Sequence, residues 1–113
     1  LTPETRRLVG AAEIAALPRG AALINVSRGA VIDEAALVAA LAAGHLGGAT
    51  LDGVETEPLA AGHPLWGMES VLVTPHLASV AIPASAARQI AENIHRVRAG
   101  RAPEHRVDLT RGY

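Results

Sequence analysis

A chain of 113 residues, half of them hydrophobic, with ten basic against eleven acidic side chains, has the size of one compact domain. One Trp, one Tyr, no Phe and no basic run leave neither the stacking platform nor the positive stripe of a nucleic-acid binder. Without cysteine there is no disulfide, thiolate metal site or thiol nucleophile, and no apolar run nears the roughly 20 residues of a membrane span, so a soluble cytoplasmic protein is the default expectation.

In chain order, Leu1 to Thr5 (LTPET) reads as a turn and helix start, with Thr2 a possible cap and Pro3 suited to a first helical turn. Leu8, Ile14 and Leu17 give that segment a loose apolar face, which Pro18-Arg19-Gly20 breaks. Ala21 to Val26 is predicted as a buried strand, delivering Arg28 to its carboxyl tip beside the permissive Gly29. Asp33 is a predicted N-cap for a helix with Ala36, Leu37, Ala40 and Leu41 at helical spacing, ended by Gly44. Leu46 to Leu51 reads as a second buried strand ending in Asp52, and residues 53–62 as a loop carrying Glu55, Glu57 and Pro58. His63 to Trp66 is a turn with Trp66 as its apolar core anchor. Val71 to Val73 is a third strand, stopped by Thr74-Pro75-His76. Pro83 opens a long helix to Ala99, with Ala87, Ile90, Ala91, Ile94 and Val97 on one side and Gly100 as its cap. His45, His63, His95 and His105 read as turn or surface histidines, and Arg88, Arg96, Arg98, Arg101 and Arg106 as a solvated helix face and tail.

Apolar strands separated by helical connections imply an α/β fold with a parallel sheet covered by helices. In such a sheet all strand carboxyl ends share one edge, where ligands bind. Arg28, then Asp52 with Glu57, then His76 finish the three strands and should meet there. Alone, each has a plainer account: an Arg that closes a loop, a solvated Glu, a structural His. Together, a carboxylate that orients a histidine makes a general acid/base, and an arginine grips a carboxylate and polarises a carbonyl. That chemistry suits proton transfer to and from the oxygen of a 2-oxo or 2-hydroxy acid. No G-x-S-x-G elbow and no metal-ligand spacing favours acyl transfer or metal hydrolysis.

Leu23 to Gly29 (LINVSRG) with Val31 to Asp33 behind it resembles the signature of the D-isomer-specific 2-hydroxyacid dehydrogenases. Leu1 to Thr5, Leu51 to Leu59 (LDGVETEPL), His63 to Trp66 (HPLW) and Val73 to His76 (VTPH) are similar to the same family, in the same order and at similar spacing. His76 to Ser79 (HLAS) and the tail Val107 to Tyr113 (VDLTRGY) look most like its glyoxylate- and hydroxypyruvate-reducing members.

The resemblance implies the C-terminal half of a Rossmann-type dinucleotide-binding domain over residues 1–82, and over 83–113 a crossover helix and tail belonging to a substrate domain. It implies NAD(P)H as cofactor, a small 2-oxo or 2-hydroxy acid as substrate, no metal, and a homodimer as the complete protein. Arg28 would hold the substrate carboxylate, His76 would donate the proton, and Glu57 would keep His76 protonated and oriented. Asp52 would lie near the nicotinamide, Thr5 and the backbone of Val26 and Ser27 would line the cofactor cleft, and Arg28 and His76 would border it. Ala78 stands where many relatives have Gly, which bears on its backbone contact with the cofactor. Glu55 lacks the position before Pro58 that the motif gives the catalytic carboxylate, and Glu57 stands where the formate dehydrogenase branch has Gln. The family's G-x-G-x-x-G turn does not occur in these residues, so the chain reads as a C-terminal part, expected to be inactive alone. The competing expectations are another member such as a phosphoglycerate dehydrogenase, or a non-catalytic NAD(H)-sensing corepressor-like protein.

Overall fold

The computed structural model describes residues 1–112; the end of the Val107 to Tyr113 tail, Tyr113, lies outside them. The chain divides into two compact units, one essentially Pro3–Ser79 and one from Val80 onward.

The first unit contains helix α1 (Ala11–Ala16), strand β1 (Ala21–Asn25), helix α2 (Glu34–Ala42), strand β2 (Leu46–Leu51) and strand β3 (Val71–Val73). The strands form a parallel sheet in the order β1-β2-β3, pairing Asn25 with Leu51 and Leu51 with Val73. Their carboxyl ends are therefore in register, which places the residues after Asn25, Leu51 and Val73 at one edge. Short 3-10 turns at Gly29–Val31 and Pro64–Gly67 lie in the connections.

Helix α2 starts where a side chain can take an orphan amide: Asp33 Oδ1 accepts from Ala36 N at 3.1 Å. It ends at Gly44, whose φ of +65° suits a residue without Cβ. Leu37 and Leu41 turn from this helix into a core with Ile14, Ile32, Leu46, Ala49, Leu51, Val54 and Leu65. Gly29 makes a close approach possible: a Cβ there would lie 2.0 Å from the Val54 carbonyl carbon. The segment leaving β1 thus presses directly on the loop leaving β2.

Three expectations about this unit are corrected. The first helix begins at Ala11, not near Thr2 and Pro3, because Val9 is engaged in a parallel bridge with Ile32 and Gly10 N donates to Glu13 Oε2 at 2.9 Å, which opens the helix there. Strand β1 is not buried on both sides. Its burial alternates, with Ile24 69% exposed, because the α1/α2 side alone of the sheet is covered in this unit. Leu65, not Trp66, anchors the His63 turn in the core; Trp66 is 55% exposed and its indole N–H donates to Ala60 O. His63 is a turn histidine as expected, capping the 3-10 turn Pro64–Gly67, and its ring is also largely buried against Glu34.

The second unit is helix α3 (Pro83–Arg98), with Pro83 at its first turn and Gly100 at φ +70° after it. Its apolar stripe of Ile90, Ile94 and Val97 is exposed. Arg96 is not simply solvated: it donates to Ala102 O and to Glu104 Oε1, while Glu104 N donates to Asn93 Oδ1, folding the following segment back on the helix. No described helix is long and apolar enough to cross a membrane.

Candidate active site at the carboxyl edge of the sheet

A buried polar residue builds the turn after β1, and another builds the turn after β3. At the end of β1 that residue is Asn25, 6% exposed. Its Oδ1 accepts from the Ser27 amide and hydroxyl at 3.0 and 2.9 Å, and its Nδ2 donates to Arg28 O at 3.0 Å. These bonds fix the turn that presents Arg28. The Arg28 guanidinium is exposed and donates to the Ser27 carbonyl at 2.9 Å. Val26, exposed on the same side as Ile24, precedes it.

At the end of β2, Asp52 is 4% exposed, and both carboxylate oxygens are in use. Oδ1 accepts from the Thr74 hydroxyl and from Leu77 N at 2.8 Å, and Oδ2 accepts from Ala78 N at 2.7 Å. The Thr74 hydroxyl, then the Ala78 and Leu77 amides and the charge of His76, hold the Asp52 carboxyl below its ordinary range, against the opposing effect of burial. Asp52 thus clamps the turn beyond β3 from both sides of His76. That turn needs clamping. His76 has φ +57°, a left-handed backbone that costs a non-glycine residue roughly 1 kcal/mol or more.

The turn points the His76 ring at the loop after β2. Glu57 receives the ring there: His76 Nδ1 lies 2.9 Å from Glu57 Oε2 and 3.1 Å from Oε1. Val54 N also donates to Glu57 Oε1 at 3.3 Å. The His76 bond is the main influence holding the Glu57 carboxyl below its ordinary range; the Val54 amide and the charges of His76 and Arg28 add to it, and desolvation opposes it. The two side chains remain nearly half exposed, 45% and 43%. They border a cleft of about 480 Å³ whose other walls include Pro58, Leu59, Trp66 and Val73.

The structure therefore brings Glu57 and His76 into contact and sets Asp52 directly beneath the turn that carries His76. Arg28 stands close enough for its charge to act on Glu57, with its guanidinium resting on its own backbone. Glu55 points elsewhere, to Arg7 at 3.3 Å. The Ala78 amide, read from sequence as a cofactor contact, is already given to Asp52. Thr5 sits half-buried in the turn before α1. Asn25 and Thr74 shape the turns that carry Arg28 and His76, a part not expected of them from sequence. The signal for both was a hydrogen-bonding side chain at the boundary where an apolar run stops. Among the described residues no group of three or more His, Cys, Asp or Glu is placed to hold a metal ion.

Comparison with known proteins decides the lineage. Residues 1–78 match the family model described as D-isomer specific 2-hydroxyacid dehydrogenase, NAD binding domain. The chain belongs to that family. Over 112 residues it is 45% identical to a glyoxylate/hydroxypyruvate reductase A from Serratia proteamaculans, covering 99% of this chain and 36% of that protein. It resembles a D-isomer specific 2-hydroxyacid dehydrogenase from Xanthobacter autotrophicus Py2, solved with NADPH and MES, at 62% identity and a TM-score of 0.95, over 100% of this chain and 47% of the other. It also resembles an NADPH-dependent glyoxylate/hydroxypyruvate reductase from Sinorhizobium meliloti, solved with NADP and sulfate, at 40% identity and a TM-score of 0.90, over 100% and 37%. The chain thus spans about a third of the length of the curated relatives. Its sheet is the C-terminal part of the family's Rossmann-type NAD-binding domain.

Proposed function

We propose that this chain supplies the proton-transfer half of an NAD(P)H-dependent reductase of small 2-oxo acids, with glyoxylate and hydroxypyruvate as the substrates to try first. The single observation that carries this is the His76–Glu57 contact. A carboxylate on Nδ1 fixes the ring, and Nε2 is then the atom left to exchange a proton with substrate.

The residues fit a nicotinamide cofactor on structural grounds. An exposed apolar side chain, Val26, and the Ser27 turn lie at the carboxyl edge of a parallel sheet, beside the acid/base pair, where dinucleotides bind in such folds. Val26, Ser27, Arg28 and Thr5 would border the cofactor, with Asp52 acting on it through the His76 turn. The pyrophosphate turn would come from another part of the protein, since no G-x-G-x-x-G occurs here. When bound, the cofactor supplies a hydride to the keto carbon. His76 Nε2 gives a proton to the keto oxygen, Glu57 stabilises the imidazolium before that transfer, and Arg28 leaves the Ser27 carbonyl to hold the substrate carboxylate bidentately. In the reverse direction His76 accepts the hydroxyl proton.

Residues 1–82 serve the cofactor domain and 83–113 the substrate domain in this proposal, within a cytoplasmic homodimer. The chain alone is inactive because half of the cofactor site lies elsewhere. In the full-length protein, His76→Ala should lower kcat on glyoxylate by about 100-fold or more while NADPH binding persists. Wild-type turnover by that variant would refute the role of His76. Arg28→Ala should act chiefly on the glyoxylate KM. Rates on glyoxylate against 3-phosphohydroxypyruvate decide between this substrate class and a phosphorylated one.

A further inference from the structure

Outside the acid/base pair, the densest set of titratable side chains in the first unit lies behind the loop that carries Glu57. Glu34, the first residue of α2, has both carboxylate oxygens engaged. Oε2 accepts from the Glu55 amide at 3.0 Å, and Oε1 lies 3.1 Å from His63 Nε2. His63 is engaged at both ring nitrogens: Leu65 N donates to Nδ1 at 3.3 Å, capping the 3-10 turn Pro64–Gly67. Nδ1 is therefore the acceptor, and Nε2 carries the proton given to Glu34. Both side chains are largely buried, at 18% and 21% exposure. On the outer side, Arg7 reaches the Glu55 carboxylate at 3.3 Å and Asp33 at 3.9 Å.

The spacing gives this cluster its meaning. Residues 55 and 63 lie on either side of Glu57 in the chain. One helix-terminal carboxylate thus holds the catalytic loop at a point two residues before Glu57 and at a point six residues after it. The Glu57–His76 pair is too exposed to fix its own geometry, since exposed ion pairs hold weakly. The Val54 amide holds one Glu57 oxygen at 3.3 Å but belongs to the same loop, so the aim of Glu57 depends on where that loop is held.

We propose that Glu34 and His63 are positioning residues for the reaction: a Glu55–Glu34–His63 relay pins the loop and so aims Glu57 at His76. The proposal rests on the functional reading above and adds two residues to it. The relay touches neither substrate nor cofactor. Its effect passes wholly through the orientation of Glu57, so it belongs in kcat rather than in cofactor affinity.

The test uses His63→Asn and Glu34→Ala. Asn keeps a short acceptor for Leu65 N, preserving the cap, but is too short to reach Glu34; the variant therefore separates the relay from the cap. Ile14→Ala, which removes a buried core side chain from helix α1 and breaks none of the relay's hydrogen bonds, is the control for destabilisation alone. In the full-length protein, His63→Asn and Glu34→Ala should each lower kcat about tenfold or more with the NADPH KM held within about twofold, and Glu34→Gln should recover part of the loss because its amide oxygen still accepts from Glu55 N. Ile14→Ala should leave kcat near wild type at temperatures where it is folded. In the full-length protein, a carbon-13 titration of the Glu57 carboxyl should show its depressed value moving up toward the ordinary range in His63→Asn. Wild-type kcat and an unmoved Glu57 titration in His63→Asn would overturn the relay while leaving the site standing. Wild-type turnover by His76→Ala would instead overturn the functional reading, and the relay with it.

Discussion

A histidine held at φ +57° and a carboxylate with no unused oxygen beneath it make one unit at the residue scale. Asp52→Ala would free the Thr74 hydroxyl and two amides at once, and the turn would relax. We expect loss of the Glu57–His76 contact, read as a shift of the His76 ring resonances, together with a lower Tm. The acid side of the stability profile follows from the two depressed carboxyls. Each has a folded value below its ordinary one, 3.8 for Asp52 and 4.5 for Glu57, so each contributes stability fully above the ordinary value and loses it as pH falls through the lower folded value. Acid unfolding monitored by circular dichroism should therefore steepen below about pH 4, and less so in Asp52→Asn and Glu57→Gln. At neutral pH Glu57→Gln should barely alter Tm, because its partner is exposed, yet lower turnover strongly.

Helix α2 does two jobs at the scale of elements. Its inner face supplies Leu37 and Leu41 to the core, and its first residue holds the Glu57 loop. Leu37→Ala should cost about 2–5 kcal/mol in denaturant unfolding, as for other fully buried leucines. Gly29→Ala should be at least as damaging for a different reason. Its Cβ has no room against the Val54 backbone, so either β1's exit or the Glu57 loop must move. Loss of the His76–Glu57 contact in a still-folded Gly29→Ala chain would identify the loop as the part that yields.

The legibility of the sequence divides along the same lines. Three strands, their parallel sense and the Asp33 cap could be read because apolar runs and capping residues are local signals. Arg28, Asp52, Glu57 and His76 could be placed at one edge because strand ends in a parallel sheet share it. The start of α1 could not, since it depends on the Val9–Ile32 bridge between residues far apart in sequence. Trp66 and Leu65 could not be ranked either, because adjacent residues in a 3-10 turn face different ways and only the fold says which faces inward. His63 could be read as a turn histidine, but not as a partner of Glu34, which is 29 positions away.

At the scale of the molecule, the sheet of the first unit carries exposed apolar side chains on one face. Ile24 and Leu72 stand level with each other across Thr50 and are both exposed, whereas parallel sheets are ordinarily covered on both sides. Ile24→Thr and Leu72→Thr should raise the solubility of the 113-residue chain in light scattering without lowering its Tm, since neither side chain is buried. A drop in Tm would show that this face is packed in solution.

The proposed function requires Arg28 and His76 to meet on one small keto acid, which a crystal structure of the full-length protein with NADP and oxamate would show or refute. The expected result is the Arg28 guanidinium on the oxamate carboxylate and His76 Nε2 within about 3.2 Å of the neighbouring oxygen, with Glu57 still on Nδ1. Oxamate bound in the cleft with either Arg28 or His76 out of hydrogen-bonding reach would contradict it.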